Sequence, residues 1–459
     1  MSRITRLIAL LFTSVTCASV LAGAEPECVP AWEAEVADFA VLNGRVEALT
    51  MFDDGSGPAL YAAGQFTHAG DLEVNYIARW DGTEWSSVGV GVTSPQFFGI
   101  SALEVFDDGT GPALYAGGSF EQAGGHPFRN VARWTGSEWQ DVGSGNDFDP
   151  IEDFVAFNDG SGEKLYAASY GFSSGWIVSS WDGTEWTEAL EDVGTIYDLH
   201  VHDDGSGPKL YAAGSFQGPP GVDALNIARW DGTSWESLGD LFYDSVYALE
   251  SMTTPDGKSL LYAGGRSRFE SGDAVSAVAS WNGSEWTPLF DETTILNPST
   301  GVRTLQVFDD GTGSALFVGG SFLLQGEAFI TLGIAKWTGT QFERLGNGGV
   351  RAGDVRATLP ASFDGHPALV FGGNFNDVNS TIPTNGEEID SPNLAIWRGC
   401  TPAPCPGDVS GDDTVDLADL NLVLANFGQQ TDSGDTNGDG VVDLADLNAV
   451  LGAFGTDCE

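Results

Sequence analysis

The chain carries little positive charge for its length of 459 residues. Only 18 lysines and arginines stand against 66 aspartates and glutamates, so the formal net charge is −48. Nucleic acids and anionic membranes need a basic patch on the proteins that bind them. The composition therefore argues against both classes of partner. Such acidity keeps an extracellular protein soluble and supplies ligands for cations.

Long apolar runs are confined to the N-terminus. Arg3 and Arg6 precede an apolar stretch from Leu7 to Leu21, which ends in Ala22-Gly23-Ala24. These are the parts of a secretory signal peptide. We predict a signal peptide over residues 1–24 and a secreted or cell-surface protein. A retained anchor is the alternative, but the run is shorter than the roughly 20 residues of a membrane span, and no other segment predicts a membrane span.

Cysteine is absent between residues 29 and 399, and long helical periodicity is absent before residue 415. With 62 glycines and 14 tryptophans, the main body is predicted to be all-β and is long enough for a large core. After removal of the leader, an even number of cysteines remains in a compartment where disulfides persist. They are Cys28, Cys400, Cys405 and Cys458.

The body is built from an internal repeat. The segment VEALTMFDDGSGPALYAAGQF from Val46 returns as ISALEVFDDGTGPALYAGGSF from Ile100, and weaker copies begin near residues 151, 196, 246, 302 and 355. A spacing of 45 to 56 residues is in the range of four-stranded propeller blades. Each copy divides into four strands, with a DDG turn after the first and a tryptophan at the start of the fourth. We predict a seven-bladed β-propeller over residues 25–399.

The seventh copy lacks a fourth strand, because it stops at Ile396–Cys400 where the others continue to a second tryptophan. Trp32, before the first copy, stands where a fourth-strand tryptophan would stand. We therefore expect the N-terminal strand to complete the last blade, a closure that removes exposed sheet edges. That closure would bring Cys28 near Cys400, and we predict a disulfide between them.

Glycine doublets end the second strand of several copies and are followed by spaced aromatics, which resembles the kelch repeat over roughly residues 30–399. Kelch-type propellers include the galactose oxidase family, whose copper site uses a cysteine cross-linked to tyrosine. Residues 29–399 contain no cysteine, so that chemistry is not expected here, and the resemblance says little about function. The doublets are Gly117-Gly118, Gly264-Gly265, Gly319-Gly320 and Gly372-Gly373.

Polar residues within the repeats have structural explanations. His200 and His202 lie two apart on one strand and could bind a metal, but His202 occupies the position of Phe106 in another blade. The paired aspartates before glycine, such as Asp53 and Asp54, could bind cations, but their recurrence is typical of turn chemistry. Arginines that recur next to a third-strand tryptophan are expected to pair with these aspartates. They are Arg79, Arg133, Arg229 and Arg398.

Two sets of loops vary among the copies, and in an antiparallel blade they lie on one face of the ring. Function is expected there. Aromatic side chains on this face could stack on sugars or anchor a protein, although local packing is the alternative for each. The residues of this predicted ligand face are Phe97, Phe98, Phe128, Arg129, Tyr170, Phe172, Trp176, Arg266 and Arg268, with His126 and Phe329 nearby.

The last segment duplicates a metal-binding loop after a proline-rich linker at residues 400–407. GDVSGDDTVDLADLNLVLANFG returns 27 residues later as GDTNGDGVVDLADLNAVLGAFG. Oxygen donors fall at positions 1, 3, 5, 7, 9 and 12, as in an EF-hand loop, so we predict two Ca²⁺ sites over residues 408–459. The predicted ligands are Asp408, Ser410, Asp412, Thr414, Asp416 and Asp419, and then Asp435, Asn437, Asp439, Val441, Asp443 and Asp446; Thr414 and Val441 use their carbonyl groups.

Aspartate at position 12 and a single following helix per loop resemble dockerin modules, which pair with cohesin domains or mediate surface attachment. The flanking Cys405 and Cys458 resemble the GC-type dockerin-like tails of secreted bacterial proteins, and we predict that they form a disulfide. The resemblance implies a cohesin-like or cell-envelope protein as partner. Loop positions 10 and 11 are Leu417-Ala418 and Leu444-Ala445, where cellulosomal dockerins commonly have Ser-Thr. We therefore do not expect a cellulosome role.

Two functional hypotheses follow, and a purely structural component of the cell envelope is a third interpretation. The first is a non-enzymatic binding protein whose propeller recognises a glycan or protein and whose tail anchors or assembles it. The second is a polysaccharide-active enzyme with its site at the mouth of the propeller channel. An enzyme should bring acids or histidines with perturbed pKa values together from different blades. A binding protein should show exposed aromatics over a shallow surface.

Overall fold

A computed structural model gives the architecture of the protein. It describes residues 30–33, 39, 41–94, 99–143, 149–169, 176–191, 194–218, 224–239, 242, 244–254, 257–268, 274–289, 295–325, 330–351, 353–363, 366–380, 389–400, 409, 415, 417–429, 436 and 441–453.

Strands dominate the described residues, and two helices follow them. The first strands are β1 (Ala31–Trp32), β2 (Val46–Asp53), β3 (Pro58–Gly64), β4 (His68–Ala69), β5 (Leu72–Glu73), β6 (Ile77–Trp80), β7 (Trp85–Ser87), β8 (Val92–Thr93), β9 (Gly99–Asp107), β10 (Pro112–Ser119), β11 (Gln122–Ala123), β12 (Val131–Trp134), β13 (Trp139–Gln140), β14 (Ile151–Asn158), β15 (Glu163–Ser169), β16 (Trp176–Trp181) and β17 (Trp186–Glu191). The others are β18 (Gly194–Asp203), β19 (Pro208–Gln217), β20 (Leu225–Trp230), β21 (Trp235–Ser237), β22 (Val246–Thr253), β23 (Ser259–Arg268), β24 (Ala274–Trp281), β25 (Trp286–Pro288), β26 (Ile295–Asp309), β27 (Ser314–Gln325), β28 (Ile330–Trp337), β29 (Phe342–Glu343), β30 (Gly349–Arg351), β31 (Asp354–Phe363), β32 (His366–Asn374), β33 (Asp377–Ser380), β34 (Ile389–Asp390) and β35 (Leu394–Arg398). The helices are α1 (Leu417–Asn426) and α2 (Leu444–Ala453).

Seven four-stranded antiparallel sheets form the blades of a propeller, which confirms the predicted fold. The first strand of each blade packs against the first strands of both neighbouring blades, and the seventh returns to the first. These seven first strands therefore enclose a central channel. The blades, numbered 1 to 7 below, are β2-β3-β6-β7, β9-β10-β12-β13, β14-β15-β16-β17, β18-β19-β20-β21, β22-β23-β24-β25, β26-β27-β28-β29 and β31-β32-β35-β1.

Blade 7 is assembled from both ends of the propeller segment. Strand β1 pairs antiparallel with β35, so Ala31 lies opposite Arg398 and Trp32 opposite Trp397. The side chains of Arg398 and Glu33 form an ion pair with an N–O distance of 2.7 Å. Next to it, the backbone N–H of Cys400 donates to the Asp310 carbonyl oxygen at 2.8 Å. Cys400 is disulfide-bonded, but Cys28 lies outside the described residues, so the predicted pairing of these two stays a prediction.

Tryptophans join neighbouring blades. The tryptophan at the start of a fourth strand packs on the ring that ends the third strand of the same blade, as Trp85 does on Trp80 with centroids 5.4 Å apart. Its indole N–H reaches a carbonyl of the preceding blade, as Trp139 does to Val88 at 3.1 Å. The same bond is made by Trp85, Trp186, Trp235, Trp286 and Trp32. The large apolar rings are buried while their one donor is satisfied, so the repeated tryptophan stabilises the ring of blades.

The turn between the first and second strands uses its two aspartates differently. Oδ1 of Asp53 accepts from the backbone N–H groups of Gly55 and Gly57 at 2.9 and 3.0 Å. Asp54 accepts the hydroxyl of Tyr61 at 2.9 Å and pairs with Arg79 at 3.2 Å. The predicted pairing of turn aspartates with the arginine before tryptophan is confirmed in this blade. Blades 2 and 4 repeat it with Arg133–Asp108 and Arg229–Asp204, and blades 3 and 6 use Lys164–Asp159 and Lys336–Asp310.

The opposite end of every first strand contains a β-bulge. The pairing register with the second strand shifts by one residue, so that Glu47, for example, is skipped between Val46 and Ala48. The same shift recurs in the other six blades. A bulge re-aims the skipped side chain away from the regular alternation of the strand. One residue per blade is therefore placed at this end of the channel.

Additional small sheets cover the same face of the propeller. Strands β4 and β5 form a hairpin, β8 pairs with β11, and β30 pairs with β33 and β34. Beyond the propeller, α1 and α2 pack on each other around Val415, Val423, Val442 and Val450. In the described part of the chain, no helix is long and apolar enough to cross a membrane.

Candidate functional site

The seven bulged residues form a ring at one mouth of the central channel, which we call the mouth ring. Each is the second residue of its blade's conserved first-strand pattern, and each is half-buried. Their chemistry differs from blade to blade, whereas the valine or isoleucine just before each one is fully buried. The mouth ring consists of Glu47, Ser101, Glu152, Tyr197, Tyr247, Arg303 and Arg356.

Topology places the mouth ring on the face with the variable loops. First strands run from this mouth towards the aspartate turns, so the loops between strands two and three, and between blades, lie at the mouth. This is the face on which the sequence predicts function.

Contacts between adjacent blades hold the mouth ring together. Arg356 of blade 7 pairs with Glu47 of blade 1 at 3.2 Å and with Asp354 at 2.9 Å. On the other side, the guanidinium of Arg303 lies 3.9 Å from the centroid of the Tyr247 ring. Tyr247 in turn contacts Tyr197, with centroids 5.0 Å apart. Blades 4, 5 and 6 thus present two tyrosines and an arginine side by side.

Glu152 of blade 3 interacts across the channel with the other half of the mouth ring. Its pKa is raised to about 7, mainly by burial and also by the charge of Glu47, against the opposing charges of Arg356 and Arg303. Because these partners come from blades 1, 7 and 6, the side chains converge on one space. A carboxyl group that titrates near neutral pH in a cleft is typical of a functional site.

A second layer of acidic side chains lies deeper in the channel. Burial raises the pKa of Glu104 and of Glu250 to about 7. Below Glu152, Asp153 accepts the backbone N–H of Leu199 at 2.8 Å, and Asp198 accepts that of Leu249 at 2.6 Å. A hydrogen bond joins the two aspartates, and burial raises the pKa of both. They bridge blades 3, 4 and 5 as the floor beneath the mouth ring.

The two histidines on the first strand of blade 4 are packed against the neighbouring blade. His200 Nε2 and His202 Nδ1 lie 2.7 and 2.8 Å from the hydroxyl oxygen of Ser251. His202 meets the Tyr211 ring edge-on at 5.6 Å, as Phe106 meets Tyr115 in blade 2. Burial lowers the pKa of His200 to about 4. Within the described residues, no group of three or more His, Cys, Asp or Glu side chains could hold a metal.

The predicted ligand face is only partly described. Phe128 is half-buried against the apolar cluster of blade 2 and stacks on His126 at 5.4 Å, while Arg129 is exposed. Arg266 lies 3.9 Å from the Asp244 carboxylate. Trp176 and Arg268 are strand residues whose side chains lie outside the described part. Also outside it are Phe97, Phe98, Tyr170, Phe172 and Phe329.

Sequence reasoning missed the mouth ring, although the repeats contain a signal for it. When the seven copies are aligned on their first strand, the residue after the leading valine or isoleucine is the one that changes in charge most, from glutamate through tyrosine to arginine. Strand alternation gave no reason to single it out, because the bulge that re-aims it depends on pairing with the second strand.

The duplicated tail is described around its helices. Asp419 and Asp446, the predicted position-12 ligands, are fully buried. Asp419 accepts the backbone N–H of Val409 at 2.9 Å, and Asp446 accepts those of Thr436 and Asp443, both at 2.7 Å. Val441 and Asp443 are described, and the remaining predicted ligands lie outside the described residues. These are Asp408, Ser410, Asp412, Thr414, Asp416, Asp435, Asn437 and Asp439.

A cleft of about 630 Å³ lies between blades 7 and 1 at the turn face. Trp80, Gly82 and Phe363 line it, and the Arg398–Glu33 ion pair closes one side. Gly82, at the third-to-fourth-strand turn of blade 1, has no heavy atom near its Cβ position. In contrast, the equivalent Gly136 lies against Asp54 of the preceding blade. The cleft is thus a gap in turn packing.

No protein-family model and no curated protein sequence matches the chain. Among solved structures it is similar to the polysaccharide lyase Uly1, with a TM-score of 0.37, 9% identity, and coverage of 83% of this chain and 94% of that one. It is also similar to an alpha-L-arabinofuranosidase from Fusarium graminearum, with a TM-score of 0.29, 13% identity, and coverage of 81% and 97%. It is similar as well to BBS1N in complex with ARL6DN, with a TM-score of 0.38, 11% identity, and coverage of 81% of this chain and 97% of that one. These scores concern the fold and transfer no function.

Proposed function

We propose that the protein is a secreted or cell-surface glycan-binding protein whose ligand occupies the mouth ring. One observation carries the proposal. Side chains of all seven blades are aimed at one mouth of the channel, and they combine two tyrosines, two acids and two arginines with one serine. Sugar recognition uses this combination, because aromatic faces stack on the ring while charged groups bond its hydroxyls.

Glycoside hydrolysis at the same place is the second candidate, and the two acids favour it. Glu47 pairs with Arg45 at 2.6 Å and with Arg356 at 3.2 Å. Glu152 has a pKa raised to about 7, so it keeps a proton over part of the neutral range. Glycosidases need one carboxylic acid and one carboxylate beside the scissile bond. In this candidate Glu152 is the acid and Glu47 the base or nucleophile.

A paired screen separates the two candidates. The full-length protein and Glu152→Gln are incubated with a panel of plant and microbial polysaccharides, and both binding and release of reducing ends are measured. Binding without hydrolysis in either protein supports the first candidate. Hydrolysis by the wild type that falls at least 100-fold in Glu152→Gln supports the second. A wild type that neither binds nor cleaves any glycan would remove both.

For the tail, we propose a dockerin-like module of the GC type that binds two Ca²⁺ ions and attaches the protein to a cohesin-like or cell-envelope partner. Two carboxylates are fully buried in it, Asp419 and Asp446. No lysine, arginine or histidine follows Arg398, so the tail has no cation of its own to balance them. A buried carboxylate needs a counter-charge or a proton. Calcium in the two loops supplies that charge and fits the all-oxygen donor set.

Apolar residues repeated on the two helices support a partner for the tail. Leu417 and Leu444 are each 63% exposed, and Leu424 and Leu451 are each 53% exposed. The residues of each pair hold equivalent positions of the duplicated sequence. Solvent-facing leucines at matched positions are typical of a docking surface.

On the propeller, the glycine doublets further support a kelch-like subtype. Glycine is required there, since a Cβ on Gly118 would overlap the carbonyl of Gly99.

Calcium dependence is measurable on the whole protein. Because calcium releases the charge repulsion in the tail, we expect a chelator to remove helical circular dichroism while the tryptophan fluorescence of the propeller stays unchanged. The control is Asp446→Asn, which should weaken calcium binding in the second loop alone. Equal helicity with and without chelator would contradict the calcium proposal.

A further inference from the structure

Arg303 differs from the other arginines in the interior of the propeller. Among the described residues, it forms no ion pair, and its Nε, like those of Arg79 and Arg266, is buried without a hydrogen-bond partner. The half-buried arginines elsewhere have a carboxylate within ion-pair distance. These pairs are Arg79–Asp54, Arg133–Asp108, Arg229–Asp204, Arg356–Glu47 and Arg398–Glu33.

An unmatched arginine is unexpected in a chain with a net charge of −48. Acidic groups are close at hand, but they are used elsewhere. The Asp354 carboxylate pairs with Arg356 at 2.9 Å, and Glu47 pairs with the same arginine at 3.2 Å. A half-buried charge without a partner costs free energy, so a position that retains one has a use for it.

Stacking fixes the orientation of the Arg303 guanidinium. Its central carbon lies 3.9 Å from the Tyr247 ring centroid, so one face of the group is covered. The N–H donors lie at the edge of the planar group, and this edge matches two oxygens of a planar or tetrahedral anion. Burial, and the like charge of Arg356, lower the pKa of Arg303, but an arginine stays charged in proteins.

We propose that the mouth ring recognises an acidic glycan, in which a sugar carboxylate or sulfate binds Arg303 while the sugar ring lies along Tyr247 and Tyr197. The inference rests on the proposed glycan-binding function and adds the class of sugar. The ligand anion supplies the counter-charge that the chain does not provide. Arg356, already paired with Glu47, contributes attraction at longer range.

The test uses the full-length protein and calorimetric titration with three probes. They are oligogalacturonate, its fully methyl-esterified form and sulfated galactan oligosaccharides, which respectively carry a carboxylate, no charge and a sulfate. The variants are Arg303→Gln, Arg303→Lys and the control Arg344→Gln. Arg344 is an exposed arginine of the same blade. Melting curves of the three variants show whether each still folds.

We expect the wild type to bind one acidic probe and to bind the neutral ester at least 10-fold more weakly. Arg303→Gln should lose roughly 10- to 100-fold in affinity for that acidic probe. Arg303→Lys should recover part of the loss, and Arg344→Gln should equal the wild type. Which acidic probe binds decides between carboxylate and sulfate.

Three results would overturn the inference. In the first, the neutral ester binds as tightly as the acidic probes, and in the second, Arg303→Gln keeps the preference for the acidic probe. In either case the ligand is a glycan, but Arg303 does not recognise an acidic group on it. The proposed function then survives. If the wild type binds no glycan, whether these probes or any of the polysaccharide panel, the proposed function fails together with the inference.

Discussion

The carboxyl groups at the two ends of the first strands titrate in opposite directions. At the turn end, burial alone would raise the pKa of Asp54 and Asp108, but hydrogen bonds from hydroxyls and the charge of an arginine outweigh it, and both pKa values are lowered. Towards the mouth end, the effect of burial on Glu104 and Glu152 is not outweighed, and their pKa rises to about 7. One backbone unit therefore supports two electrostatic environments.

The difference shows which end serves the framework. Turn residues recur among the blades, and their aspartates pair with cations of the same blade, as Asp54 does with Arg79. Mouth-ring residues vary in charge from blade to blade, and several of their contacts join different blades, as that of Arg356 with Glu47 does. A repeated network whose polar groups are all paired stabilises the fold, whereas a varied set of incompletely paired groups can bind a ligand. The predictions below test this division.

The largest effect is expected at the turn end of blade 6. Lys336 and Asp310 are both buried, at 6% and 2% exposure, with an N–O distance of 2.7 Å. Asp310 also accepts the indole N–H of Trp397 at 3.1 Å, which ties blade 6 to blade 7. Lys336→Met should therefore destabilise the propeller by about 3–5 kcal/mol, because it leaves a buried carboxylate without its cation. The measurement is denaturant unfolding followed by tryptophan fluorescence.

One control removes a lysine elsewhere in the propeller, and the other removes the charge of the Asp310 carboxylate. Lys258→Met, at an exposed position of blade 5, should change stability by less than about 0.5 kcal/mol. Adding Asp310→Asn to Lys336→Met should restore part of the loss, because the uncompensated charge is gone. If Lys336→Met unfolds like the wild type, the turn network is not the framework that we describe.

An intermediate effect is expected from the mouth acids as a dependence on pH. Glu104, Glu152 and Glu250 have raised pKa values in the folded protein, so the folded state holds their protons more tightly than the unfolded state. The contribution of these glutamates to stability is thus highest below their ordinary pKa of 4.5, and it is lost as the pH rises to about 7. Turn aspartates such as Asp54 and Asp108 have lowered pKa values, so their contribution to stability has the opposite pH dependence and is lost only in acid. Melting temperature measured from pH 3 to 8 should pass through a maximum near pH 4–5.

The triple variant Glu104→Gln, Glu152→Gln and Glu250→Gln separates these groups from general acidic repulsion. The loss of stability between pH 5 and 7 should be smaller in this variant, by on the order of 1 kcal/mol per group. The matched change at the turn end, Asp204→Asn, should leave that part of the curve unaltered. A triple variant with the wild-type slope would show that the mouth acids ionise normally.

The smallest effect is expected for Arg356→Gln. The Arg356–Glu47 and Arg356–Asp354 pairs are partly exposed, so their loss should cost only about 0.5–1 kcal/mol. Because Arg356 lowers the pKa of Glu152, its removal should raise that pKa above about 7. The measurement is an NMR titration of the Glu152 carboxyl carbon. Arg79→Gln, at the turn end, should not shift it; a shift there, or none in Arg356→Gln, would contradict convergence of the mouth ring.

The sequence predicted the propeller because its repeats reveal each blade directly. Glycine turns, the DDG motif and two tryptophans per copy are local signals, and the aspartate–arginine pairing follows from their recurrence. The site was out of reach for a different reason. Tyr197, Tyr247 and Arg303 are separated by about 50 residues along the chain and become neighbours only when consecutive blades pack together, and the bulge that aims them depends on strand pairing.

The central claim is that the mouth ring, rather than the loop aromatics or the turn face, holds the ligand. The most direct measurement is a glycan array probed with the wild type and with Tyr197→Ala/Tyr247→Ala, both checked for equal melting temperature. Our account predicts that the wild type binds a defined set of glycans and that the double variant binds none of them. Undiminished binding by the double variant would contradict it.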